Sequence, residues 1–111
     1  MTIEEVRPSE ADSISVLAHE IWPLVYSQMI SGEQIAYMLE WMYAPQKIRT
    51  EIEAGTVYLK SKQEGDAAGF AAFGPVEKDG MAMLHKLYVH PDLHRSGVGS
   101  ALLKDVEKRT D

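Results

Sequence analysis

The sequence predicts an α+β domain of the three-layer type, in the element order β-α-α-β-β-β-α, with the last three strands in an antiparallel meander. Three observations carry this prediction. Apolar residues recur at helical spacing between residues 9 and 54. Between residues 56 and 90 the pattern shifts to short β-branched and aromatic runs separated by turn residues. Helical spacing returns at Val98, Ala101, Leu102 and Val106. At 111 residues the chain is a single domain, 1–111, large enough to enclose a core.

The elements follow in order. Thr2 to Arg7 reads as a first strand, stopped by Pro8, and Ser9 reads as the N-cap of a helix whose first turn holds Glu10 and Asp12. Ile14, Leu17, Ala18, Ile21 and Val25 trace its apolar stripe. Pro23 lacks an N–H and crowds the carbonyl of His19, which predicts a kink or break near Ile21-Trp22. Trp22 and Tyr26 read as core packing, with the wall of a ligand pocket as the alternative. Ser31-Gly32-Glu33-Gln34 has the form of a capping box, followed by Ile35, Met38, Leu39 and Met42 on one face. Ala44-Pro45 interrupts, and Gln46 to Ala54 resumes as helix with Ile48 and Ile52 inward and Gly55 as its stop.

Thr56 to Lys60 alternates as a strand, Gln63-Glu64-Gly65-Asp66 is a turn, and Ala68 to Phe73 is a second strand closed by Gly74-Pro75. The small residues Ala68, Gly69, Ala71 and Ala72 allow a helix or ligand to approach the sheet closely. Asp79-Gly80 signals a hairpin. Met81 to His90 is the third strand of the meander. Leu84 lies on the opposite parity to Leu87 and Val89, which a β-bulge would reconcile.

Composition excludes several classes of function. The formal charge is −6, with the acidic residues spread along the chain, which argues against a broad nucleic-acid-binding face. With no cysteine there is no disulfide, thiol nucleophile or cysteine-based metal site. No His, Asp or Glu spacing suggests a metal centre. No apolar run reaches membrane-spanning length, and the acidic start Met1-Thr2-Ile3-Glu4-Glu5 lacks a signal-peptide pattern, so a cytoplasmic location is expected.

The chemistry concentrates in Leu84 to Leu103. A strand ends at Pro91, a short glycine-bearing loop follows, and a helix begins near Val98. Such a helix start presents unpaired backbone N–H groups and partial positive charge, which suits a phosphate. A P-loop is excluded because no Lys-Ser/Thr pair follows Gly99. A dinucleotide fingerprint is excluded because position 102 is leucine rather than the third glycine.

What remains resembles the acyl-CoA-binding motif of the GCN5-related N-acetyltransferase (GNAT) superfamily: a Leu-x-Val-x-Pro strand, then Gln/Arg-x-x-Gly-x-Gly/Ala. Leu87-Tyr88-Val89-His90-Pro91 matches the strand part in full. His94-Arg95-Ser96-Gly97-Val98-Gly99 matches the loop part except that His94 replaces Gln or Arg, and Arg95 is expected to supply the positive side chain instead. Ile21-Trp22-Pro23, Ser31 to Ile35, Met42-Tyr43 and Leu84 to Val89 also look like one poorly characterised bacterial subgroup. The resemblance covers essentially the whole chain and implies an acyl-CoA N-acyltransferase-like fold in its N-terminal portion, with the C-terminal strands and helix missing. It implies a bulge in the third meander strand as well.

The implied reaction moves an acetyl group from acetyl-CoA to an amine of a small molecule or protein. The resemblance places the pantetheine arm along Leu87, Tyr88 and Val89 and an oxyanion donor at the backbone near Leu87. It places the pyrophosphate at His94, Arg95, Ser96, Gly97, Val98, Gly99 and Ser100. A base must take a proton from the attacking ammonium. His85 is the candidate, because imidazole titrates near neutral pH, with a half-exposed strand histidine as the alternative. His90 reads as a surface residue, and Glu20, Glu40 and Glu51 as helix-surface residues. Lys86 and Tyr88 are possible cleft residues. The acidic balance suits a cationic acceptor such as a polyamine or a lysine amine. A non-catalytic acyl-CoA-binding or interaction module is the alternative function, because the resemblance covers only the first half of the fold. The apolar strand Met81–Val89 reads as an exposed edge, which predicts a homodimer.

Overall fold

The computed structural model describes residues 1–77, 81–93 and 97–110. Four strands form one antiparallel sheet in the order β1 (Thr2–Glu5), β2 (Val57–Gln63), β3 (Asp66–Phe73), β4 (Leu84–Val89). Helices α1 (Ala11–Tyr26), α2 (Gly32–Tyr43) and α3 (Pro45–Glu53) cover one face, and α4 (Val98–Thr110) covers the other. The three-layer arrangement is therefore present, but the order is β-α-α-α-β-β-β-α: the segment after Ala44-Pro45, counted in the sequence order as a resumption of the second helix, is a helix of its own because Pro45 starts it at a new angle. No helix among the described residues is long and apolar enough to cross a membrane.

The first helix differs from expectation at both ends. Ser9 is not its cap: Pro8–Glu10 forms a short 3-10 turn, and the Glu10 carboxylate accepts from the Arg7 N–H at 3.0 Å. The helix then runs unbroken through Pro23 to Tyr26. A proline inside a helix forfeits one hydrogen bond. Here Ile21 and Trp22 before it and Tyr26 after it are held in the same core, and that packing outweighs the lost bond. Trp22, 5 % exposed, is a core residue.

Other local signals are realised, the Ser31-to-Gln34 capping box through its serine bond. The Ser31 hydroxyl accepts from the Gln34 N–H at 3.1 Å at the start of α2. Gly55, at φ +111°, ends α3, with Thr56 N–H donating to Glu51 O and Gly55 N–H to Ile52 O. Glu64 and Gly65 both have positive φ, as a two-residue hairpin turn of matching twist requires. The Asp79-Gly80 turn lies outside the described residues.

The meander's last strand begins at Leu84 rather than Met81 and carries the expected bulge. Ala72 pairs with Lys86 and Phe73 with Leu84, so His85 is the extra residue. The bulge returns Leu84 to the face of Leu87 and Val89, toward α4, while Lys86 and Tyr88 face α1–α3. On the α4 side, Val98, Leu102 and Val106 pack over Leu59, Ala68, Ala71 and Phe73. Gly69 makes this approach possible, since a Cβ there would lie 2.6 Å from Tyr88 O and 3.3 Å from Val98 Cγ1.

Candidate functional site

The open edge of β4 is the first part of the site. His90 N–H donates to Ala68 O at 2.8 Å, and antiparallel bonding alternates along a strand. Tyr88 and Lys86 therefore also bond back to β3, whereas Leu87 and Val89 turn their backbone N–H and C=O groups toward the open edge. Among the described residues no strand pairs with that edge. Leu84 and Leu87 flank it at 40 % and 37 % exposure.

The second part is the start of α4. Gly97 has φ +83°, a conformation L-residues disfavour, and a Cβ on it would meet nothing within 4 Å. Ala101 N–H donates to Gly97 O at 3.0 Å, so the amides of Val98, Gly99 and Ser100 lie at the open end of the helix. Gly99 sits close against β4, its hypothetical Cβ 3.5 Å from Val89 Cγ2. The expectations for His94, Arg95 and Ser96 lie outside the described residues. A strand edge with outward amides thus leads to a helix N-terminus on one side of the sheet.

The third part is the bulge. His85 Nε2 lies 2.6 Å from Gly74 O. A carbonyl has no proton to give, so Nε2 carries the hydrogen and, in the neutral ring, Nδ1 keeps the lone pair. His85 also lines a cavity of ≈ 180 Å³ with Glu51, Thr56, Tyr58, Ala72 and Lys86.

Behind it sits a polar cluster that the linear pattern did not single out. Tyr58 Oη donates to Glu51 Oε1 at 2.7 Å, and Lys86 Nζ donates to Tyr58 Oη at 2.7 Å and lies 3.7 Å from Glu51 Oε1. The ammonium also stands 4.5 Å from the centre of the Tyr43 ring. Burial pulls the Lys86 pKa below the usual lysine value, with Glu51 opposing the shift. Burial first, and the hydrogen bond to Glu51 second, push the Tyr58 phenol up. Burial likewise raises Tyr43 and Tyr88. Glu51 is therefore not a plain surface residue. Its helical spacing from Ile48 was the available signal, as was Lys86 at a position facing opposite to Leu87.

Tyr88 belongs to an aromatic cluster with Trp22, Tyr26 and Phe70, and its hydroxyl lies 3.2 Å from that of Tyr26. His90 is half-buried and accepts at Nδ1 from the Asp92 N–H at 3.3 Å. Among the described residues no group of acidic or imidazole side chains is arranged to hold a metal ion.

No curated protein matches the sequence. Among solved structures, the chain is similar to a PaiA N-acetyltransferase from Thermoplasma acidophilum in complex with coenzyme A, with a TM-score of 0.83 and 23 % identity over 99 % of this chain and 72 % of that one. It is also similar to a GCN5-related N-acetyltransferase from Rhodopseudomonas palustris, with a TM-score of 0.76 and 21 % identity over 98 % of this chain and 64 % of that one. An aminoglycoside 6'-N-acetyltransferase complexed with coenzyme A matches with a TM-score of 0.64 and 16 % identity over 99 % of this chain and 55 % of that one. The chain thus spans between 55 % and 72 % of the length of these three structures. Its sequence matches the profile of the Acetyltransferase (GNAT) family over residues 19–110, and the chain belongs to that family.

Proposed function

We propose that this chain acts as an N-acetyltransferase that moves an acetyl group from acetyl-CoA to an amine of a small molecule or protein. The observation that carries this reading is the continuity of the open β4 edge at Leu87 and Val89 with Gly97 and the exposed amides of α4. Two structural neighbours were solved with coenzyme A, which supports the choice of ligand.

In this reading the pantetheine arm pairs with β4 as an added strand. The pyrophosphate rests on Gly97, Val98, Gly99 and Ser100, and the motif in the sequence adds His94, Arg95 and Ser96 to the residues proposed to bind it. The outward N–H of Leu87 donates to the thioester oxygen as negative charge develops there. An alkyl ammonium must lose a proton before it attacks, and His85 takes it at Nδ1, the nitrogen left free by the Gly74 bond. The amine nitrogen then bonds to the acetyl carbon, the carbon–sulfur bond breaks, and the departing thiolate takes up a proton.

Calorimetric titration of CoA tests the site. Gly97→Val puts a side chain into the open space above the loop and is expected to weaken CoA at least tenfold. Gly65→Val, at φ +87° with nothing within 4 Å of the new side chain and outside the proposed site, serves as the control for the strain of a side chain at positive φ. Unchanged affinity in Gly97→Val would remove the assignment. CoA binding without release of free CoA in the presence of a panel of amines would point to a non-catalytic acyl-CoA-binding module.

A further inference from the structure

A bulge residue has no partner in the strand ladder, so something else must hold it. His85 is held on one side by its own ring, through Gly74 O at 2.6 Å. On the other side Lys86, where regular pairing with Ala72 resumes, is tied down away from the sheet. Its ammonium reaches Tyr58 on β2, Glu51 on α3 and the ring of Tyr43 on α2, and its side chain is only 12 % exposed. An apolar side chain of similar length would fill this space without the penalty of burying a charge. What the lysine adds is direction: its hydrogen bond to Tyr58 has a preferred geometry that dispersion contacts lack, and it ties this point of β4 to β2 and α3 in addition to the β3 ladder.

We infer that Lys86 is a positioning residue, whose caged ammonium anchors the β4 bulge to α2, α3 and β2 and so holds the His85 ring with Nε2 on Gly74 O and Nδ1 free. The inference rests on the reading of His85 as the base, but it is tested on the imidazole itself and needs no turnover. Both residues line the ≈ 180 Å³ cavity, and as chain neighbours they share a peptide bond through which movement of the Lys86 backbone reaches His85.

The experiment is a long-range proton–nitrogen correlation spectrum of the ¹⁵N-labelled chain at pH 8. The chain has four histidines, and His85→Gln assigns the signal of interest. The parent is expected to show a single Nε2-protonated tautomer at His85. In Lys86→Met the two nitrogen shifts should move toward each other, as the ring samples both tautomers. A Lys86→Met chain that unfolds cooperatively, keeps the parent's near-ultraviolet circular dichroism and leaves the His85 shifts unchanged overturns the inference. If Lys86→Met does not fold, Tyr58→Phe decides in its place: it keeps the ring but removes the hydroxyl that accepts from Lys86 at 2.7 Å, and unchanged His85 shifts in it overturn the inference equally. Normal acetyl transfer by His85→Gln would reject His85 as the base and leave the positional coupling standing. Failure of the coupling leaves the base assignment untouched.

Discussion

Replacing Gly69 by alanine is the sharpest mechanical test of how the sheet carries the site. The added methyl would lie 2.6 Å from Tyr88 O, 3.2 Å from Val89 Cα and 3.3 Å from Val98 Cγ1. Two of the three are backbone atoms of β4, so no side-chain rotation relieves the clash. β4 must draw away from β3 by several tenths of an ångström, and α4 must lift at its first residue. Overpacking of this kind costs about 1–3 kcal/mol. Alanine also narrows the unfolded ensemble, which returns about 0.4–1 kcal/mol. The net expectation is a loss of roughly 1–2 kcal/mol, which at a urea dependence of about 1.5 kcal/mol per molar lowers the midpoint by about 1 M. Gly32→Ala is the matched comparison, because its methyl meets nothing within 4 Å and it sits at the start of α2. It should be neutral or stabilising by up to about 1 kcal/mol. Because Val89 and Val98 belong to the proposed CoA track, Gly69→Ala should also weaken CoA in calorimetry. A Gly69→Ala midpoint equal to or above the parent's would refute the close approach, and the argument that small residues on β3 position the site would go with it.

Two further outcomes concern pH and association. Tyr43, Tyr58 and Tyr88 are raised above the ordinary phenol value of 10.0 chiefly by burial, so the unfolded chain ionises them first. Their contribution to stability is whole below pH 10 and is lost as the pH rises toward the higher folded values. Lys86 acts in the opposite sense: the penalty of its buried cation is present below its lowered folded pKa and is relieved as the pH climbs toward the unfolded 10.5. Three tyrosines outweigh one lysine, so denaturant midpoints should fall above pH 10, with part of the phenolate absorbance appearing only as tertiary circular dichroism disappears. Complete tyrosine ionisation near pH 10 in a chain that keeps that signal would contradict this. For association, we propose a homodimer of the CoA-free chain that covers the bare β4 edge with its exposed Leu84 and Leu87, the same edge that the pantetheine arm takes in the proposed complex. Light scattering at micromolar concentration should give about twice 12.4 kDa, and a mass that stays at 12.4 kDa on concentration rejects it.

The features legible in the linear sequence were those set by neighbours a few residues apart. Ser31 caps α2, Gly55 stops α3, Glu64-Gly65 turns a hairpin, and the parity conflict between Leu84 and Leu87 announced the bulge, each because the cause lies within about one turn of its effect. The strand-and-glycine motif was legible for the same reason. Of the kink or break that Pro23 predicted, the break does not occur, because packing of Trp22 and Tyr26 into one core overrode local propensity. The meeting of Tyr43, Glu51, Tyr58 and Lys86 was not legible, although the spacing of Glu51 from Ile48 and the facing of Lys86 each pointed inward. These residues come from α2, α3, β2 and β4, and they meet only because the β2–β3–β4 register aligns Tyr58, Ala72 and Lys86 and α3 lays Glu51 against them. The same register decides which amides of β4 turn outward, because alternation along a strand is local but its phase is set by the partner strand.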